Sequence, residues 1–140
     1  MIVDANVLLY AVDQDVQFHT VAKAWLEAVL DGPTRVGLPW PSLLAFQRII
    51  THARACQNPL TPAQAWSHIE AWLAAPVVWI PVPGPGHQEI LARLIKQGDM
   101  RGNLVSDAHL AALAMEHGVG VCSFDSDFAR FDDLHWVRPG

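Results

Sequence analysis

The chain has 140 residues, of which 51% are hydrophobic and 16% charged, and its formal net charge is −5. Such a chain is long enough to bury a core, which excludes disorder and sets the expectation of a single domain over residues 1–140. The negative balance excludes nucleic-acid binding by bulk electrostatic attraction, although clustered acids that recruit cations would reverse the local field.

No apolar run approaches the ~20 residues needed to cross a bilayer. The text opens on a strand-like segment with no basic leader, so the expected location is cytoplasmic, away from membranes. Cys56 and Cys122 are too few and too distant for a disulfide framework or a zinc cluster, and read as buried, reduced thiols.

Residues 1–4 read as a short strand that runs straight into a helix near Asn6. Val21, Ala22, Trp25, Leu26, Val29 and Leu30 recur at three- and four-residue spacing, which predicts an amphipathic helix over 18–30. A strand follows at 35–38, then a helix over 41–53 with Pro41 in its first turn, where a missing N–H costs nothing. Thr61 as N-cap and Pro62 at the first position open a helix over 63–74. Pro76, Pro81, Pro83 and Pro85 confine 77–82 to a brief peripheral strand. Helices over 88–97 and 103–117 come next, the second closed by Gly118 as a left-handed cap. Strands at 120–123 and 135–137 end the chain.

Strands that alternate with helices imply an α/β fold. The expectation is a three-layer α/β/α sandwich around a mostly parallel, five-stranded sheet. The helix pair between the second and third strands exceeds a minimal crossover and is expected to protrude as an arm.

Acids in three separate segments stand at strand ends or helix starts, where they could meet at the sheet edge at which open α/β sheets collect ligands. Asp4 ends the first strand, and it reads either as a metal ligand or as the N-cap of the next helix, a role Asn6 is also able to take. Asp107 lies early in an otherwise apolar helix, with Asn103 one turn before it on the same face. It complements the helix dipole or, if that first turn is buried, needs a cation to offset its charge. Asp125 and Asp127 follow the fourth strand, either as turn residues or as ligands, and Asp127 is also a candidate cap for 128–131. The seven histidines have no zinc-ligand spacing, and neither a phosphate-binding glycine loop nor a serine-nucleophile elbow is present. An oxygen-ligated hard ion remains, Mg2+ or Mn2+.

Together these segments resemble a known family. Residues 1–11, with Ile2-Val3-Asp4-Ala5-Asn6-Val7-Leu8-Leu9-Tyr10-Ala11, resemble the opening of PIN-domain ribonucleases, and most closely the VapC-type toxins of bacterial toxin–antitoxin pairs. Residues 103–114 are similar to that family's central helix, and 123–131 to its closing acidic segment. The resemblance covers the whole chain in order and spacing. It assigns the metal acids to Asp4, Asp107 and Asp125, with Asp127 as a fourth. It also implies RNA as substrate and a VapB-like antitoxin as partner. One departure stands out: the family's glutamate on the helix after strand two falls on Ala45, with only the neutral Gln47 nearby.

The resulting expectation is metal-assisted hydrolysis of an RNA phosphodiester. Asp4 and Asp107 would hold the ion with Asp125, Asn6 and Ser123 would hydrogen-bond around them, and Arg48, Arg101 and Arg130 would steer phosphate. Two rivals remain. Haloacid-dehalogenase-like phosphatases also end strand one on an aspartate and bind magnesium, but want a second aspartate where this chain has Asn6. A non-catalytic RNA- or partner-binding domain is the other, given Ala45. The apolar region of Trp66, Trp72 and Trp79 suggests a homodimer.

Overall fold

A computed structural model describes residues 1–140. The chain begins with β1 (Ile2–Val3), α1 (Ala5–Val12), α2 (His19–Leu30) and β2 (Val36–Gly37). It continues through α3 (Trp40–Ile50), α4 (Pro62–Ala74), β3 (Val78–Trp79) and α5 (His87–Gly98). The last part holds α6 (Asn103–Glu116), β4 (Val121–Cys122), a 3-10 turn over Ser126–Arg130, and β5 (Trp136–Val137). No helix is long and apolar enough to cross a membrane.

The five strands form one sheet in the order β3-β2-β1-β4-β5, and every pair is parallel. The chain starts at the centre, works outward on one side, then returns to add β4 and β5 on the other. The turning point therefore lies between β1 and β4, and the crevice beyond their carboxyl ends is where such a sheet receives ligands.

Side-chain alternation along the strands separates two cores. Val3 and Cys122 join the cluster built with α1 to α4, through Leu8, Leu26, Phe46 and Ile69. Ile2 and Val121, one residue earlier in each strand, join the cluster of α5 and α6, through Leu94, Ala111 and Leu113. Both faces of the sheet are thus covered, which is why the strands read as apolar runs. The expected three-layer α/β/α arrangement is what the chain forms.

The strands are shorter than expected because their flanking residues are recruited elsewhere. Asp4 leaves β1 to cap α1, and Pro39 leaves β2 to open α3. β3 spans two residues before the prolines begin. The capping box at Thr61 and Gln64 forms as the sequence predicts, and Gly118 takes a left-handed φ of 68° after α6. The α3–α4 pair differs from the expected free arm. Phe46 meets Trp72 edge-on at 4.9 Å, and Ala65 and Ile69 are fully buried, so the pair is rooted in the main core. Cys56 and Cys122 are free and buried, as expected.

Gly120 marks the tightest approach in the sheet. A Cβ there would sit 2.5 Å from the His135 carbonyl oxygen, which already accepts the Val121 N–H at 2.9 Å. Gly120→Ala should therefore destabilise the fold by about 1–3 kcal/mol, as overpacking does. Denaturant unfolding checks this, and an unchanged midpoint would show that β5 shifts at no cost.

Candidate metal centre

The crevice at the sheet's turning point is built from β1 and β4 outward. Beyond their assigned ends the ladder continues, with the Asp4 N–H donating to Cys122 O at 3.0 Å. This brings Asp4 and Ser123 side by side. Ser123 is fully buried, and its Oγ donates to Asp4 Oδ2 at 2.7 Å while accepting the Asp125 N–H at 3.0 Å. Asp4 Oδ1 accepts the Ala5 N–H at 2.8 Å, so Asp4 itself is the N-cap of α1. Asn6 does not cap. It bridges, donating through Nδ2 to Ser123 Oγ at 3.0 Å and to Asp4 Oδ2 at 3.3 Å, and accepting the Phe124 N–H at 3.2 Å.

After β4 the backbone turns sharply. Asp125 Oδ1 accepts the Asp127 N–H at 2.9 Å and caps the 3-10 turn, a role the sequence left to Asp127. That turn aims Asp125 and Asp127 at Asp107 from α6. One carboxylate oxygen from each of Asp107, Asp125 and Asp127 lies within 4.8 Å of the others. Asp4 is not one of this trio. It stands beside it, with Asp107, along a cavity of about 380 Å³ that Ser42, Ala45 and Arg48 of α3 also line.

Like charges so close, with so little cationic relief, leave a clear electrostatic mark. Burial, then the nearby Asp125, Asp4 and Asp127, push the Asp107 carboxyl up to about 7. Burial also raises Asp4, against the lowering effect of its hydrogen bonds from Ser123 and Ala5. The one cation paired with the trio is Arg130, whose Nε lies 3.5 Å from Asp127 Oδ1. Both side chains of that pair are about half exposed, so it offsets little. An all-oxygen donor set with unrelieved negative charge fits a hard divalent cation.

The remaining expected site residues divide. Arg48 lines the cavity and Arg130 borders the trio. Arg101 instead pairs with Asp99 at 3.0 Å and does not line the cavity. Asn103 opens α6 but is exposed and makes no side-chain hydrogen bond. The first turn of α6 is open rather than buried as expected, with Val105 43% exposed, and the helix meets the cavity from Ser106 onward. Gln47 does not stand in for the missing glutamate, since its amide donates to Pro62 O on α4. Ser42 went unnoticed in the sequence. It is buried, it lines the cavity, and its Oγ has no hydrogen-bond partner.

A parallel α/β sheet with acids gathered at its turning point defines a class of acidic-cluster domains suited to holding a divalent ion. Comparison with known proteins gives the class a family. The family model described as PIN domain matches residues 1–134. Ribonuclease VapC37 of Mycobacterium tuberculosis is 45% identical, covering 99% of this chain and 96% of that protein. Ribonuclease VapC33 of the same species is 40% identical over 99% of this chain and 97% of that protein. Among solved structures, M. tuberculosis VapC20, a sarcin-ricin loop cleaving toxin, superposes with a TM-score of 0.70 at 20% identity, covering 99% of this chain and 98% of that one. VapBC2 of Rickettsia felis, bound to a promoter DNA fragment, gives a TM-score of 0.69 at 16% identity, covering 99% and 98%. The chain belongs to the PIN-domain family, among its VapC-type members.

The raised Asp107 makes the site sensitive to pH in a definite direction. Unfolded, this carboxyl loses its proton near its ordinary value of 3.8; folded, it keeps it to about 7. Between those values the folded state holds the extra proton at this site, so the contribution of Asp107 to the stability of the cation-free protein falls as pH rises from 3.8 to about 7. Cation binding needs the ionised form, so it strengthens as pH rises through about 7. Thermal melts with and without Mg2+ on either side of that pH check both statements. An equal cation-induced shift on both sides would contradict them.

Proposed function

We propose that this protein is a metal-dependent endoribonuclease toxin that hydrolyses RNA phosphodiester bonds and is held in check by a VapB-like antitoxin. The observation that carries the reading is the convergence of Asp107, Asp125 and Asp127 within 4.8 Å, with Asp4 lining the cavity beside Asp107. The ribonuclease names of the VapC relatives support it at 40–45% identity over nearly the full chain.

In this reading Asp107, Asp125 and Asp127 hold one Mg2+ (or Mn2+), with Asp4 engaged alongside them. Such an ion lowers the pKa of bound water and offsets charge that develops on the phosphoryl oxygens. Asp4 is kept in place by Ser123, Ala5 and Asn6, so its carboxylate is oriented before any ligand arrives. Asp125, by capping the turn, sets the position of Asp127. Arg48 on the cavity wall is the residue available to meet a substrate phosphate. Ala45 brings no carboxylate to that wall, which favours a single ion. The phosphatase alternative is weakened by Asn6, which stands where that class needs an aspartate: its amide has no acidic proton to give a leaving group, and it bonds to Ser123, Asp4 and Phe124.

Asp107→Asn should reduce Mg2+-dependent cleavage of cellular RNA to the level seen with chelator. Ser123→Ala, which frees Asp4, should cost roughly 10–100-fold in activity or cation affinity. Wild-type cleavage in the Asp107→Asn protein would sink the assignment.

The expected partner covers the acidic cavity. Expression of the wild type alone should arrest growth, and co-expression with the cognate antitoxin should restore it. Arrest that persists in the Asp107→Asn variant would point to toxicity unrelated to cleavage.

A further inference from the structure

One face of α3 carries a stripe that the acidic cluster does not explain. Trp40, Leu44 and Arg48 recur at four-residue spacing and so share a side of the helix. All three are exposed, Trp40 at 39% and Leu44 at 54%. Leu44 and Arg48 line the cavity that holds Asp4 and Asp107. Trp40 immediately precedes Pro41, which lines it too. From α4, Trp66 lays its indole parallel to that of Trp40, with centroids 6.5 Å apart and planes within 8°. Trp66 is also 38% exposed, whereas the other four tryptophans are half-buried or buried.

Two parallel indoles, each a little over a third exposed, thus lie at the end of a helix whose next turns line the cavity. The chain is acidic overall, and Arg48 is the one basic residue on the cavity wall. Away from Arg48, and from any cation held by the acids, attraction between phosphates and the surface therefore contributes little to substrate affinity. Stacking of bases on aromatic rings does not depend on charge, and it needs bases that are not already paired. The stripe offers a guanidinium and an aliphatic side chain at the cavity, then the indole pair.

We propose that Trp40 and Trp66 form a stacking platform for an unpaired nucleobase of the RNA substrate, with Arg48 holding a neighbouring phosphate, so that this stripe selects single-stranded over base-paired RNA. The proposal rests on the ribonuclease reading above, and its test separates the two. Binding is measured in the Asp107→Asn background, with a short single-stranded oligoribonucleotide and with the same strand in a duplex. The single strand should quench tryptophan emission and bind more tightly than the duplex. Adding Trp40→Ala should weaken single-strand binding by about fivefold to a hundredfold and remove much of the quench. Trp66→Ala should act in the same direction, and Trp40→Phe should keep most of the affinity. Val21→Ser, an exposed apolar residue elsewhere, serves as control. If Trp40→Ala melts early, Trp40→Leu keeps the bulk without the flat face and must show the same loss. In the cutting protein, Trp40→Ala should raise KM more than it lowers kcat. Equal binding by the tryptophan variants, equal binding of duplex, or no binding of RNA at all would overturn the proposal. So would a Trp40→Ala protein that binds RNA normally but no longer assembles with its antitoxin, which would give the indoles to a protein partner. Absence of cleavage by the wild type would defeat the ribonuclease reading and leave the binding result standing.

Discussion

The parallel pairing of β1 with β4 is the constraint on which everything else in the molecule rests. It joins residues 119 apart in the chain, and it does so where the winding of the sheet reverses. Ser123 then ties the two strand ends together with one hydroxyl that both donates to Asp4 and accepts from the Asp125 backbone. Asn6 adds a second tie, from α1 back to Ser123 and Phe124. Below these links the sheet is apolar on both faces, so the polar groups are forced to the one edge where they remain accessible.

That edge is held together against its own electrostatics. Carboxylates from α6 and from the turn after β4 are brought within reach of one another, and no buried basic residue answers them. A core that simply minimised energy would not keep such a group. Proteins accept local conflicts of this kind where a ligand resolves them. Asp107 carries most of the conflict, since it alone is pushed up to about 7 by burial and by three neighbouring acids.

Much of this was legible in the sequence, for physical reasons that differ by residue. Short apolar runs that alternate with helical three- and four-residue spacing marked the α/β alternation. The acids after strand ends stood out because nothing apolar competes for attention there. Other features were hidden because they depend on pairings between distant segments. Asp4 as the cap of α1 was one of the sequence readings, but the bridge that Asn6 makes to Ser123 and Phe124 was not. The first turn of α6 looked buried because Leu104 and Val105 are apolar, yet Val105 is exposed and Leu104 only partly covered. Arg101 looked available, but it lies on the exposed surface beside Asp99 and does not line the cavity. The parallel indoles of Trp40 and Trp66 come from separate helices, and no spacing along the chain announces them.

The double duty of Asp4 and Asp125 has an evolutionary consequence. Each acid starts a helical segment as well as facing the cluster, and replacing an N-cap aspartate by alanine costs a fold about 0.5–2 kcal/mol. A lineage under pressure to silence a harmful activity at these positions would, through most substitutions, also lose part of its folding reserve. Asparagine caps about as well as aspartate, so it offers a quiet exit: an inert descendant that still folds and remains free to engage whatever the active ancestor engaged.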